Sequence, residues 1–271
     1  MTQAPESRTE TAGPAEPRQL RLLSCNILAG ASMRRYRDYV THSVKHMLPA
    51  GKRANLDGLA RLLGDFDVVG LQEADAGSLR SGFLNQTQYL AENAGFPFWS
   101  HQANRRVSRL AHSSNGLLAR EQPHEVLDYP LPGRIPGRGA LWARFGEGAE
   151  ELLVVVAHLS LGAKARARQL DFLAELIDQH PRVVLMGDLN TPPTAVELQR
   201  LFARTSLAPA DESPPTFPSW RPQRAIDHIL VSPALEVERR WVLPYPVSDH
   251  LPVAAVVRLP AAAREAQEHH G

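Results

Sequence analysis

Val183-Val184-Leu185-Met186-Gly187-Asp188-Leu189-Asn190-Thr191-Pro192-Pro193 is an apolar run that stops abruptly at two polar side chains, Asp188 and Asn190. Its length, with Gly187 and a proline pair at its end, fits a buried strand better than a helix. Loops held by rigid strands are a common seat for chemistry. The plainer reading is that Asp188 and Asn190 merely form a turn, since both side chains bond local backbone. What separates the two readings is whether other strands end the same way.

Several do. Leu20 to Leu28 is an extended run with Asn26 near its end, and Phe66 to Leu71 runs directly into Gln72 and Glu73. Glu151 to Leu159 is strongly apolar and carries His158. Ala225 to Val231 opens with Asp227-His228, and Asp249-His250 precedes the last strand, Val253 to Leu259. Between these lie helical patterns: Asn55 as N-cap ahead of Leu56, Leu59, Ala60, Leu62 and Leu63; Phe83 to Asn93 closed by Gly95; and Lys164 to Gln179. Thr194 and Glu197 have capping-box spacing for a helix to about Ala203. Ser114 to Arg120, Glu125 to Tyr129, Gly139 to Phe145 and Val237 to Leu243 read as further strands.

The strand–helix–strand pieces, Leu20 to Leu71 and Glu151 to Leu185, suit parallel pairing; the middle, without helices, suits antiparallel pairing. Two strand-rich halves with helices imply sheets packed together and covered outside. A doubly wound parallel sheet is the rival, weakened by too few helices and no Gly-rich phosphate loop. No linker-like composition shift or repeat interrupts residues 19–260, which read as one domain between a disordered leader, 1–18, and a flexible tail, 261–271.

Composition narrows the function. A net charge of +1 is too balanced for wholesale nucleic-acid binding. Cys25 is the only cysteine, which excludes a disulfide framework and a thiolate zinc site. No apolar run is long enough to cross a bilayer and the leader lacks a signal-peptide core, so a cytoplasmic monomer is the expectation. The clustered Asp, Glu, Asn and His without thiols suit a hard divalent ion, Mg2+ or Mn2+. Such an ion fits phosphoryl chemistry, where it neutralises phosphate charge and lowers the pKa of a bound water. Each polar strand end has an ordinary reading, whether a solvated end, a core histidine or a turn. That all of them arose independently is far less economical than one shared site.

Six motifs, Leu23-Ser24-Cys25-Asn26, Val69-Gly70-Leu71-Gln72-Glu73, Ala157-His158-Leu159, Gly187-Asp188-Leu189-Asn190, Ile226-Asp227-His228-Ile229 and Ser248-Asp249-His250-Leu251-Pro252, occur in that order. Together they resemble the endonuclease/exonuclease/phosphatase superfamily, the group of exonuclease III, neutral sphingomyelinases and DNase I. The resemblance implies a DNase I-like α/β fold: a four-layer α/β sandwich, two mixed β-sheets packed face to face with helices outside. It implies Glu73 as principal Mg2+ ligand, Asn26 nearby on metal or phosphate, and Asp249 supporting the metal. It implies Asp188 and Asn190 on the attacking water, His250 bonded to Asp227 as general base or cationic stabiliser, and His158 on a phosphoryl oxygen. His158 stands at a position typical of the sphingomyelinase and phosphatase branches.

For substrate contact, Arg134 and Arg138 are placed to clamp a phosphate, and Asn115 follows a basic cluster at Arg105, Arg106 and Arg109. Arg138 and Asn115 are the expected substrate-binding pair. The basic segment 34–53 is a further candidate, and Trp220 a candidate for stacking; for the charges the plainer reading is a solvated face, for Trp220 core packing. The resulting expectation is a phosphodiesterase or phosphatase acting on a small or lipid-derived phosphoester. A DNA nuclease is disfavoured by the charge balance, and a non-catalytic binding protein by the complete motif set.

Overall fold

The computed structural model describes residues 18–28, 49–78, 81–107, 111–133 and 137–260. The leader apart from Arg18, which opens the first strand, most of the basic segment, Arg109, Arg134 and the tail lie outside the described residues. So do the side chains of Arg105 and Arg106.

Among the described residues eleven strands follow in chain order: β1 Arg18–Asn26, β2 Val68–Asp75, β3 Phe98–Val107, β4 Ala111–Ala119, β5 Glu125–Pro130, β6 Gly139–Phe145, β7 Leu152–His158, β8 Val183–Asp188, β9 Asp227–Val231, β10 Glu236–Val242 and β11 Val253–Leu259. The α-helices are α1 Pro49–Leu63, α2 Gln86–Ala94, α3 Ala163–Ile177 and α4 Val196–Arg204. One sheet runs β10-β11-β1-β2-β4-β3 and the other β5-β6-β7-β8-β9. β1 pairs parallel with β2 and β7 parallel with β8; every other ladder is antiparallel. The expected fold class is therefore the observed one.

Alternating side chains explain the layers. On β1, Leu20 and Leu22 enter a core shared with Leu141, Val154, Val156, Val184 and Met186 of the second sheet. Leu23 and Cys25 face the other way, into a core with Leu56, Leu59, Leu63 and Leu90 of α1 and α2. On the far side, Leu153, Val155 and Leu185 pack on Leu170, Leu173 and Ile177 of α3 and Leu198 and Leu201 of α4. Strands buried on both faces read as continuous apolar runs because water reaches neither side. Gly70 lets the sheets approach closely, since a Cβ there would meet Val156 Cγ2 at 3.0 Å.

Some local expectations yield to tertiary structure. Asn55 is not an N-cap; it lies inside α1, which starts at Pro49. The Thr194–Glu197 capping box does not form, and α4 is entered from Ala195 without a side-chain cap. Glu197 instead accepts from Arg166 Nη2 at 2.8 Å and Thr191 Oγ1 at 3.2 Å. A charge-assisted bond to a guanidinium outcompetes a bond to one amide. Gly95 does close α2, at φ 69°, while the helix starts at Gln86 rather than Phe83, with Asn85 as its N-cap.

Candidate active site

The parallel pairs β1/β2 and β7/β8 send their carboxyl ends to one edge of the sandwich, and the site assembles there. Register sets the order: Gly139, His158, Asp188 and Asp227 are cross-strand neighbours along the second sheet. Asn26 lies opposite Gln72 in the first sheet. The sheets meet where Asn26 Nδ2 donates to Asp188 Oδ2 at 3.1 Å.

Glu73 is not at a strand end, as the sequence reading had it, but inside β2 on a bulge. Leu71 pairs with Gly116 and Ala74 with Ser114, so Gln72 and Glu73 together face Asn115. Glu73 has φ 57°, in the left-handed region. A bulge of this kind re-aims a side chain, and a non-glycine residue held at positive φ stores strain that surrounding structure must sustain. Asp75 ties the chain down just beyond the bulge. Buried two residues on, it accepts from Gly77 N, Ser78 N, Ser78 Oγ and Ser81 Oγ at 2.6–3.0 Å.

Asp188 ends β8. Its Oδ1 accepts from Asn190 N at 3.0 Å, and Asn190, at φ 52°, donates from Nδ2 to Leu159 O at 3.0 Å. Asn190 thus does hold the turn, the plainer of its two readings. Gly187 must be glycine: a Cβ would sit 1.8 Å from Ala157 O.

His250 Nδ1 lies 2.9 Å and 3.1 Å from the two Asp227 carboxylate oxygens. Thr216 Oγ1 donates to the same carboxylate. Ser248 Oγ donates to Asn26 O at 2.6 Å and accepts from His250 N at 3.0 Å, tying the loop before β11 to β1. The Phe217 ring packs on His250 with centroids 4.9 Å apart. The sequence assigned no role to Thr216, Phe217 or Ser248, although Ser248 stands in the motif with Asp249 and His250.

His250 Nε2 and His158 Nε2 both approach Asp188 Oδ2, at 3.8 Å and 3.4 Å. His158 Nε2 is also 3.8 Å from Glu73 Oε1. Arg138, expected on a phosphate, lays Nη1 against the His158 ring, 2.7 Å from Nδ1. Asn115, expected beside it, is fully buried and donates to Gly139 O at 2.8 Å. Trp220 is partly exposed in its loop. Arg53 is exposed and stands over the Tyr89 ring at 5.5 Å.

Electrostatics divide the histidines. Burial pulls His250 down, but the charge and hydrogen bond of Asp227, with Asp188 and Asp249 adding, outweigh it and hold the imidazolium up to about 10. Burial, then the charges of Arg138 and His250, push His158 well below its ordinary value, so it is neutral. Glu73, Asp188 and Asp249 are all raised, first by burial; Asp249 adds to Glu73, and Asp227 to both aspartates. Crowded carboxylates of this kind bind protons or a cation. The donors are oxygen and imidazole nitrogen only, which fits a hard divalent ion. Asp188, Asp227 and His250 each bring a ligand atom within 4.8 Å of the others. That trio differs from Asn26, Glu73 and Asp249, the ligands the resemblance implies. Since His250 and Thr216 occupy the Asp227 oxygens, the trio reads as an aspartate–histidine pair beside Asp188.

A family model described as "Endonuclease/Exonuclease/phosphatase family" matches residues 23–250. The chain belongs to the endonuclease/exonuclease/phosphatase family. Its members are hydrolases acting on phosphoester bonds. Solved structures agree with the fold. A family protein from Beutenbergia cavernae is 23% identical over 92% of this chain and 73% of that one, with TM-score 0.70. A mannosyl-6-phosphatase from Bacteroides thetaiotaomicron is 22% identical over 88% of this chain and 99% of its own, with TM-score 0.62. D. rerio TDP2 complexed with single-strand DNA product is 16% identical over 88% and 98%, with TM-score 0.63. A search of curated proteins found no match. Among the described residues no helix is long and apolar enough to cross a membrane.

Proposed function

We propose that the chain hydrolyses a phosphoester with a divalent cation of the Mg2+ or Mn2+ kind, attacking with water. The observation that carries this reading is the convergence of Glu73, Asp188, Asp249, the Asp227–His250 pair and the Arg138–His158 pair on one sheet edge. Glu73, with Asn26 and Asp249, would hold the ion, which supplies charge neutralisation and a more acidic water.

The protein's own groups do the rest. Asp188, desolvated and raised, takes a proton from the attacking water at a carboxylate oxygen. Asn190 fixes the turn that presents it. The His250 imidazolium, oriented through Nδ1 by Asp227, presents Nε2–H to charge developing on the phosphoryl or leaving oxygen. The Arg138 guanidinium, braced on neutral His158, anchors a phosphoryl oxygen. Positioning plus charge suffices for phosphoryl transfer, so no covalent intermediate is needed. A polyanionic duplex is the less favoured substrate, because a net charge of +1 gives little general attraction for phosphate backbones.

The test is a panel of sugar phosphates, nucleotides, inositol phosphates, phospholipids and DNA, offered to chelated protein and again with Mg2+. At least one should turn over only with the metal, and His250→Ala should abolish that turnover. Metal binding without turnover across the panel would instead mark a binding protein.

A further inference from the structure

Asn115 has a geometry that contact with substrate does not explain. It is fully buried on β4, yet its amide leaves its own sheet. Nδ2 lies 2.8 Å from Gly139 O and 3.5 Å from Val156 O, both in the second sheet, and 3.4 Å from Gln102 Oε1 on neighbouring β3. These oxygens are acceptors gathered around one donor group.

The two ends of this bridge matter. On its own sheet, Asn115 stands opposite the Gln72–Glu73 bulge. Across the gap, Gly139 follows Arg138 directly and is the cross-strand neighbour of His158, whose ring Arg138 touches. Val156 lies two residues before His158 on the same strand. A rigid link at this point fixes the distance between the carboxylate on one sheet and the arginine–histidine pair on the other.

We infer that Asn115 is a positioning residue: by holding the Gly139 carbonyl, its amide sets where Arg138 and His158 stand relative to Glu73. This rests on the reading above only in taking Arg138 and His158 to face the phosphoryl group. The chemistry explains why asparagine stands here. Aspartate has nearly the same shape but turns the donor into an acceptor facing a carbonyl oxygen. Alanine leaves a void and a carbonyl without this partner. Misplacing a substrate anchor by about 1 Å costs a rate factor of roughly 100.

The experiment compares Asn115→Ala, Asn115→Asp and, if either fails to fold, Asn115→Ser, with Ser232→Ala as control. Ser232 accepts from Val183 N at 3.0 Å at the far end of β8, so its loss is a buried polar loss away from the site. With histidine labelled by 15N, the His158 ring signals should move in Asn115→Ala in the direction that Arg138→Ala moves them, and stay put in Ser232→Ala. On whichever phosphoester turns over, Asn115→Ala should lower kcat/KM by about 10- to 100-fold. The double variant with Arg138→Ala should lie within about threefold of Arg138→Ala alone, because both changes undo one arrangement. Unmoved His158 signals in a folded variant, or losses that simply multiply with those of Arg138→Ala, would overturn the assignment. If nothing in the panel is hydrolysed, the hydrolase reading fails, while the His158 signals still decide the role of Asn115.

Discussion

Asp227→Asn isolates the aspartate–histidine pair with almost no change of shape. In the native chain Asp227 grips His250 Nδ1 at 2.9 Å and 3.1 Å, and the imidazolium is held up from 6.5 to about 10 against the opposing effect of burial. A lift of that size corresponds to roughly 5 kcal/mol of preference for the protonated ring, at 1.36 kcal/mol for each tenfold step. Asparagine removes the charge and leaves the burial. Burial then opposes the cation with only Asp188 and Asp249 to offset it, so the ring should titrate ~2 pH units lower or more. The substituted amide can also donate to Nδ1 and so select the opposite tautomer. A wrong tautomer and a lost cation together should lower turnover by about 100- to 10,000-fold, a range whose upper end is set by the serine-protease aspartate. The assay is a 15N titration of His250 in chelated protein, beside the pH dependence of kcat with metal present. A His250 that still titrates near 10 in the variant, or turnover within about threefold of wild type, would refute the argument.

Other expectations follow from the same geometry. Gly187→Ala should fail to fold or lose more than about 3 kcal/mol by denaturant unfolding, because its Cβ would lie 1.8 Å from Ala157 O. Cys25 is buried, and burial with the Asp227 charge pushes its thiol up, so a thiol reagent should label it only on unfolding. In chelated protein, stability should fall as pH rises from about 6.5 towards 10. A raised His250 contributes fully below its unfolded value and loses that contribution through its folded one. Raised Asp188, Glu73 and Asp249 act in the same sense at lower pH, so the gain in Tm from added Mg2+ should grow with pH. A gain that shrinks with pH would contradict the carboxylate ligand set.

Much of this was readable from residues because burial on both sheet faces makes each strand a bare apolar run. A polar group such as Asn26, His158 or Asp188 then stands out at its end. Glu73 stood out too, but its placement did not: a bulge is defined by the register of β4, which the β2 sequence does not contain. Thr216 reaches Asp227 from a proline-rich loop with no periodicity to mark it. The capping box at Thr194 failed because Arg166, distant in sequence, takes the Glu197 carboxylate. β3, Phe-Trp-Ser-His-Gln-Ala-Asn-Arg-Arg-Val, lacks clean alternation, and only its pairing with β4 makes it a strand. Asn115, expected on substrate, is instead buried and bridges the two sheets, a placement that only the pairing of β4 and the packing of the sheets define. Long-range register is what the local pattern omits.

The central claim is that Glu73 holds a divalent ion on which phosphoester hydrolysis depends. The most direct measurement is the hydrolysis rate of an activated phosphodiester as Mg2+ is titrated into chelated wild type and chelated Glu73→Gln. Wild type should be silent without metal and recover saturably, while Glu73→Gln should stay folded and need at least about tenfold more metal. Turnover that survives exhaustive chelation, or a Glu73→Gln curve that overlays wild type, would contradict the account.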